Sequence, residues 1–107
     1  MIETKPHPLV NKSDSPHYDS KEPGEKTFIE KFEQQYTIRQ IHNWCLITID
    51  KYIYRIGSKD DEDKEMRKIK TYTDYSVMLK KIIDSYPMLS DMTAKTAYQH
   101  LNYHWRY

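Results

Sequence analysis

The sequence predicts an all-α fold: a small helical bundle of three to four helices with an irregular N-terminal arm. Three observations predict it. Apolar residues from Ile38 to Ile56 recur at spacings of three and four, the period of one helix face. The stretch from Asp61 to Tyr86 keeps that period and stops at Pro87, which cannot continue a helix. Four of the five prolines (Pro6, Pro8, Pro16 and Pro23) fall within the first 26 residues, so the rest of the chain is nearly free of helix breakers.

Residues 1–26 add Ser13, Asp14, Ser15, Asp19 and Ser20 to those prolines and read as an extended arm. The first 15 residues are expected to pack poorly and to be dispensable. Thr27 suits an N-cap, with Glu30 as its capping-box partner, for a helix running to about Gln35 with Phe28 and Phe32 on one side. A second helix fits Thr37 to about Ile56, with Ile38, Ile41, Cys45, Ile49, Tyr52 and Ile56 as its apolar stripe. The β-branched run Ile47-Thr48-Ile49 leaves a strand open for part of it. Gly57 supplies the stop. After a charged connection over Ser58–Asp63, a third helix is expected from about Asp61 to Tyr86, facing the core with Met66, Ile69, Tyr72, Thr73, Ser76, Val77, Leu79 and Ile83. Ser90 suits the cap of a fourth helix through Met92, Tyr98 and Leu101. The chain thus divides into an arm (1–26), a helical core (27–86) and a C-terminal helix with an aromatic tail (87–107).

Size and composition exclude several function classes. A chain of 107 residues makes one domain at most. With 37% hydrophobic and 31% charged residues it can build one modest core but no deep enclosed cavity. An active site is therefore expected to be shallow or shared between subunits. Ten tyrosines and two tryptophans are more aromatic surface than so small a core absorbs, so a homo-oligomer is expected. The net charge of +1 does not favour nucleic acid as a partner through bulk attraction. Two glycines, Gly24 and Gly57, cannot make a phosphate loop or a dinucleotide fingerprint. One cysteine, Cys45, forms no intrachain disulfide, which points to a reducing cytoplasmic location. The N-terminus lacks a signal-peptide pattern, and no apolar run is long enough to span a membrane.

On a helical wheel, Trp44, Thr48, Lys51 and Arg55 line up beside the apolar stripe of the second helix. An indole, a hydroxyl, an ammonium and a guanidinium on one flank suit an anionic ligand with a flat ring, Arg55 taking a phosphate bidentately and Trp44 stacking. The same placement also suits stems that cover the core edge. On the third helix Glu65 shares the apolar side with Ile69 and Tyr72, where a carboxylate needs a cation. Lys51 or Arg55 can supply it across the Gly57 turn; a place in the first turn also suits Glu65 through the helix dipole. Lys68 and Tyr72 adjoin the same edge. Lys64 to Lys81 carries six basic residues against two acidic, either an anion-attracting stripe or a solvated face. The acidic run Asp60–Asp63 lacks the calcium-loop pattern, and His100 and His104 lack a third ligand, so no protein-held metal is assigned. Cys45 sits in the apolar stripe with no evident base and is expected to be inert.

The run Lys51-Tyr52-Ile53-Tyr54-Arg55-Ile56-Gly57-Ser58-Lys59, followed by Glu65, Lys68 and Tyr72, resembles a small bacteriophage family known as a domain of unknown function (SaV-like). Pro16-His17-Tyr18 resembles that family's Pro-x-His-Tyr element without its intervening residue, and the likeness covers roughly residues 16 to 84. The chain departs from the pattern at Ile47-Thr48, where the family usually has Gly-Asn, and at Glu65, where it has Asp. Some relatives are described as phage nucleotide kinases without a Walker loop. The resemblance therefore implies transfer of a phosphoryl group to a (deoxy)nucleoside monophosphate, chiefly by positioning and charge neutralisation. It implies catalytic roles for Lys51, Arg55 and Glu65, with His17, Tyr18, Trp44, Lys59, Lys68 and Tyr72 around the ligand and Mg²⁺ arriving with the nucleotide.

The leading expectation is thus a phage-encoded nucleotide-binding protein of the host cytoplasm, more narrowly such a kinase. The alternative is a small phage interaction protein that inhibits or derepresses a host or mobile-element factor through the aromatic surface of Tyr98, Tyr103, Trp105 and Tyr107. A third reading, a nucleic-acid accessory protein, uses the basic third helix as a continuous stripe.

Overall fold

The computed structural model describes residues 3–9, 28–58 and 61–107. Among them lie four α-helices, α1 (Phe28–Gln35), α2 (Ile38–Arg55), α3 (Glu62–Ser85) and α4 (Ala94–His100), one 3₁₀ turn (Pro87–Leu89), and two short strands, β1 (Lys5–Pro6) and β2 (Trp105–Arg106). The all-α expectation holds, with a two-residue parallel ladder added where the ends of the chain meet.

Local chemistry explains each boundary. Thr37 caps α2 with a full capping box: its hydroxyl accepts from the Gln40 amide, and the Gln40 side chain accepts from the Thr37 amide. This cap, with the helical period, overrides the β-branched run, and α2 continues unbroken through Ile47–Ile49. Gly57 ends the hairpin's first arm at φ +82°, a conformation that a side chain resists. Asp61 caps α3 by accepting from the Asp63 amide. Thr93, not Ser90, caps α4. Ser90 is buried in the preceding turn, donating to the Pro87 carbonyl and accepting from Arg39 at 2.8 Å. Asn102, at φ 60°, closes α4 in the left-handed region that asparagine tolerates.

α2 and α3 form an antiparallel hairpin and supply most of the core: Ile38, Ile41, Cys45 and Tyr52 face Tyr72, Tyr75, Leu79 and Ile82. The α3 core face is turned from the expected one. Met66 and Val77 are exposed, while Tyr75 and Ile82 are buried; Tyr75 meets the Glu33 carboxyl of α1 together with Tyr98 of α4. A bridge between Thr37 and Thr93 joins the α1–α2 turn to the start of α4.

The first residues differ most from expectation. His7 and Leu9 are fully buried, and β1 pairs with β2 through Lys5 N–H to the His104 carbonyl and His7 N–H to the Arg106 carbonyl. His7 and Leu9 are therefore part of the core, which the expected loose packing of the first 15 residues does not provide for. The prolines of this segment leave few amides to satisfy, and β1 lends the ladder those it has. Thr27 and most of the arm, residues 10–27, lie outside the described residues. No helix among the described residues is long and apolar enough to cross a membrane.

Candidate functional site

Across the Gly57 turn, the last turn of α2 meets the first turn of α3. Arg55 and Glu65 converge there, Nη2 to Oε1 at 3.9 Å, and Lys68 brings its Nζ to 3.7 Å from the same oxygen. Lys51 and Lys68 both lie over the Tyr52 ring, at 5.0 and 5.1 Å from its centroid. Three cationic side chains from two helices thus crowd one tyrosine and one carboxyl group. Their exposure is graded: Lys51 faces solvent, the Arg55 side chain is 42% exposed, the Lys68 side chain 15%, and Glu65 is wholly buried. Among the described residues neither Glu65 oxygen has a hydrogen-bond partner, although buried polar groups are as a rule paired. The two cations stand about half an ångström beyond hydrogen-bond reach.

The wheel's other members are placed differently. Thr48 is buried and donates to the Trp44 carbonyl at 2.8 Å, so its hydroxyl is spent inside the helix. Trp44 is half-buried in an aromatic row running from Phe32 through Trp44 and Tyr72 to Tyr52, with centroid spacings of 4.8, 5.6 and 5.7 Å. Tyr72 is fully buried within that row and has no face for a ligand. Its value is structural: it holds Tyr52 beneath the two lysines. His17, Tyr18 and Lys59 lie outside the described residues.

A second buried centre escaped the sequence reading. Glu33 of α1 is fully buried and takes four donors: His7 Nε2–H at 2.9 Å, Tyr98 at 2.6 Å and Tyr75 on one oxygen, and Tyr107 at 2.5 Å on the other. The Leu9 amide donates to His7 Nδ1 at 3.1 Å, so the His7 proton sits on Nε2 and points at Glu33. Burial alone would raise the Glu33 pKa; the hydrogen bond from His7, with those from Tyr107 and Tyr75, overcomes it and holds the carboxyl below its ordinary range. Burial and the Glu33 charge push all three tyrosine hydroxyls the other way, upward, keeping them as donors. The available signal was the spacing of four from Ile29, which puts Glu33 on an apolar face. The Glu33 donors come from both ends of the chain, a convergence that no local pattern reveals. Every oxygen here is occupied, so this centre fastens the fold.

The remaining candidates are simpler. Burial pushes the Cys45 thiol up to about 12, with Glu33 adding to the effect, so it is no nucleophile at neutral pH. Lys70 and Lys80 pair with Asp74 and Asp84 four residues on, which breaks the basic run of α3 into solvated ion pairs. No group of three His, Cys, Asp or Glu suited to a metal occurs among the described residues. A cleft of about 530 Å³ lies elsewhere, between β1 and the tail, lined by Lys5, Met78, Leu101, Tyr103, His104 and Trp105.

A family model described as a protein of unknown function (DUF3310) matches residues 10–74. Lys51, Arg55, Glu65, Lys68 and Glu33 fall inside that span, and all the residues that donate to Glu33 fall outside it. None of the curated proteins and none of the solved structures matches the chain.

Proposed function

The chain belongs to the DUF3310 family, and on that premise we propose that it binds the phosphate of a nucleotide at the α2–α3 junction. The observation that carries this reading is the convergence of Lys51, Arg55 and Lys68 on Tyr52 and Glu65. Arg55 offers a planar fork suited to two phosphate oxygens, and the lysines add compact charge. The aromatic row behind Tyr52 keeps the cations from collapsing into the core.

The narrower proposal is a phage-encoded (deoxy)nucleoside monophosphate kinase without a Walker loop, supported by the resemblance of the Lys51–Lys59 run and the acidic-x-x-Lys spacing of Glu65 and Lys68. Phosphoryl transfer needs little beyond positioning and neutralisation, and a shallow cationic junction can supply both. The described residues form no cage for magnesium, so the ion would enter held by the nucleotide phosphates themselves. The host-interaction reading has less support, since Tyr98 is buried and Trp105 and Tyr107 pack partly against the core, which leaves Tyr103 as the exposed one of the four. We also propose a second copy of the chain as partner through the outer face of α2, where Leu46, Ile47, Ile53 and Tyr54 are exposed. Light scattering that gives the monomer mass at micromolar concentration refutes that pairing.

Thermal shift against nucleoside mono- and triphosphates with Mg²⁺ tests the main reading. A ligand at a hundredfold excess over its dissociation constant stabilises the fold by about 2.7 kcal/mol. Arg55→Ala is expected to cost on the order of 1 kcal/mol of stability, since stem packing and the long ion pair with Glu65 are lost while Lys68 stays beside that carboxyl. Its nucleotide affinity should fall about thirty- to a hundredfold. A folded Arg55→Ala chain with unchanged affinity removes the proposal.

A further inference from the structure

The three cations account for a phosphate, but not for Glu65. A carboxyl group wholly buried beside two cations is ordinarily in contact with them. Here Lys68 Nζ and Arg55 Nη2 make long ion pairs with it at 3.7 and 3.9 Å, and among the described residues neither Glu65 oxygen accepts a hydrogen bond. The other buried carboxylate among the described residues, Glu33, takes four donors. The fold therefore can satisfy a buried carboxylate and does not do so at the one that adjoins the candidate site. A partly exposed Arg55 and a long Lys68 stem are the movable groups beside it.

We propose that Glu65 is the acceptor for a hydroxyl of the bound ligand's sugar, so that the site selects a phosphate-bearing sugar over phosphate alone. This inference rests on the phosphate-binding reading above. It adds which second group the ligand carries and where. Once a phosphate draws Arg55 and Lys68 onto its oxygens, Glu65 loses its nearest cations and needs a donor in their place. Charge-assisted hydrogen bonds measure roughly 2.8 Å, so with the cations near their present places a phosphate oxygen held by either lies within about 6 to 7 Å of the Glu65 oxygen. The donor meeting Glu65 must come from the part of the ligand next to the phosphate. In a nucleoside 5′-monophosphate that part is the sugar, with its 2′- and 3′-hydroxyls, and the far edge of the base lies beyond comfortable reach. A carboxylate accepts only, so it favours a hydroxyl there and disfavours a second phosphate at the same place. The arrangement thus gives the monophosphate a direction: phosphate on the cations, sugar hydroxyl on Glu65, base outward along the Tyr52 edge.

Calorimetry on the full chain tests this with four probes: inorganic phosphate, a ribonucleoside 5′-monophosphate, its 2′-deoxy form and its 2′,3′-dideoxy form. The wild-type chain should bind at least one hydroxyl-bearing nucleotide about ten- to a hundredfold more tightly than the dideoxy form. Glu65→Gln, checked for a cooperative melt, should lose most of that preference while keeping or raising its affinity for phosphate, because a repelling charge is gone. Equal binding of all three nucleotides by the wild-type chain overturns the inference and leaves the phosphate reading standing. Retention of the full hydroxyl preference in a folded Glu65→Gln chain also overturns it. Failure of every probe to bind overturns both, and that outcome needs no variant.

Discussion

Two glutamates show how far one residue type can diverge at equal burial. Glu33 and Glu65 are both fully buried, yet one is enclosed by four donors and the other by none within hydrogen-bond reach among the described residues. Glu33 is a structural anchor, and the geometry assigns it a large energetic role. Glu33→Gln replaces an acceptor by an amide whose NH₂ faces hydroxyl donors, leaving at least one buried polar group without a partner. The expected loss is about 2–4 kcal/mol in urea unfolding, against about 0.5 kcal/mol or less for an exposed control such as Lys95→Gln. A Glu33→Gln midpoint indistinguishable from the control's refutes the role. Sequence reasoning found Glu65 because its partners sit three residues on and across one turn. It missed Glu33 because His7, Tyr75, Tyr98 and Tyr107 are spread over the whole chain.

At the scale of elements, the helices were legible and their neighbours were not. The α2 stripe, its Gly57 stop and the α3 end at Pro87 follow from periodicity and breakers, and the structure places them within a residue or so of expectation. The rotation of the α3 face toward Tyr75 and Ile82 depends on which helices surround it, and a single helix's pattern does not contain that. The opening segment was misread for a related reason. Proline-rich composition argues against a helix, but it does not argue against burial. Leu9 is 0% exposed within the core cluster, so Leu9→Ala should cost about 2–5 kcal/mol, the range for a large-to-small core change. Removing residues 1–9 should cost more, since the His7 hydrogen bond and the β1 ladder go too. Chemical denaturation of the two variants checks the order, and a deletion variant as stable as wild type would show the segment to be a passive tail after all.

For the whole molecule, Glu33 acts as the point where separate parts of the chain are fastened. The segment after β1, α3, α4 and the tail after β2 each send a group to the two oxygens that α1 holds among them. Stability that depends on this anchor must depend on its charge. Its folded pKa lies below the ordinary value, so the unfolded chain takes up the proton first as pH falls. The contribution is therefore fully present above the unfolded carboxyl pKa, and it is lost as pH drops through the folded value. The urea midpoint should be flat near neutrality and fall steadily from about pH 5 downward. In Glu33→Gln the decline should be shallower, since that proton is no longer linked to folding. Because five segments share the anchor, acid should release them together, not fray one end. Near-ultraviolet circular dichroism, which reports the buried tyrosines and Trp105, should then change in the same transition as the helical signal. A tyrosine signal lost well before the helices would mean that the tail lets go alone, and that the anchor fastens an end instead of the fold.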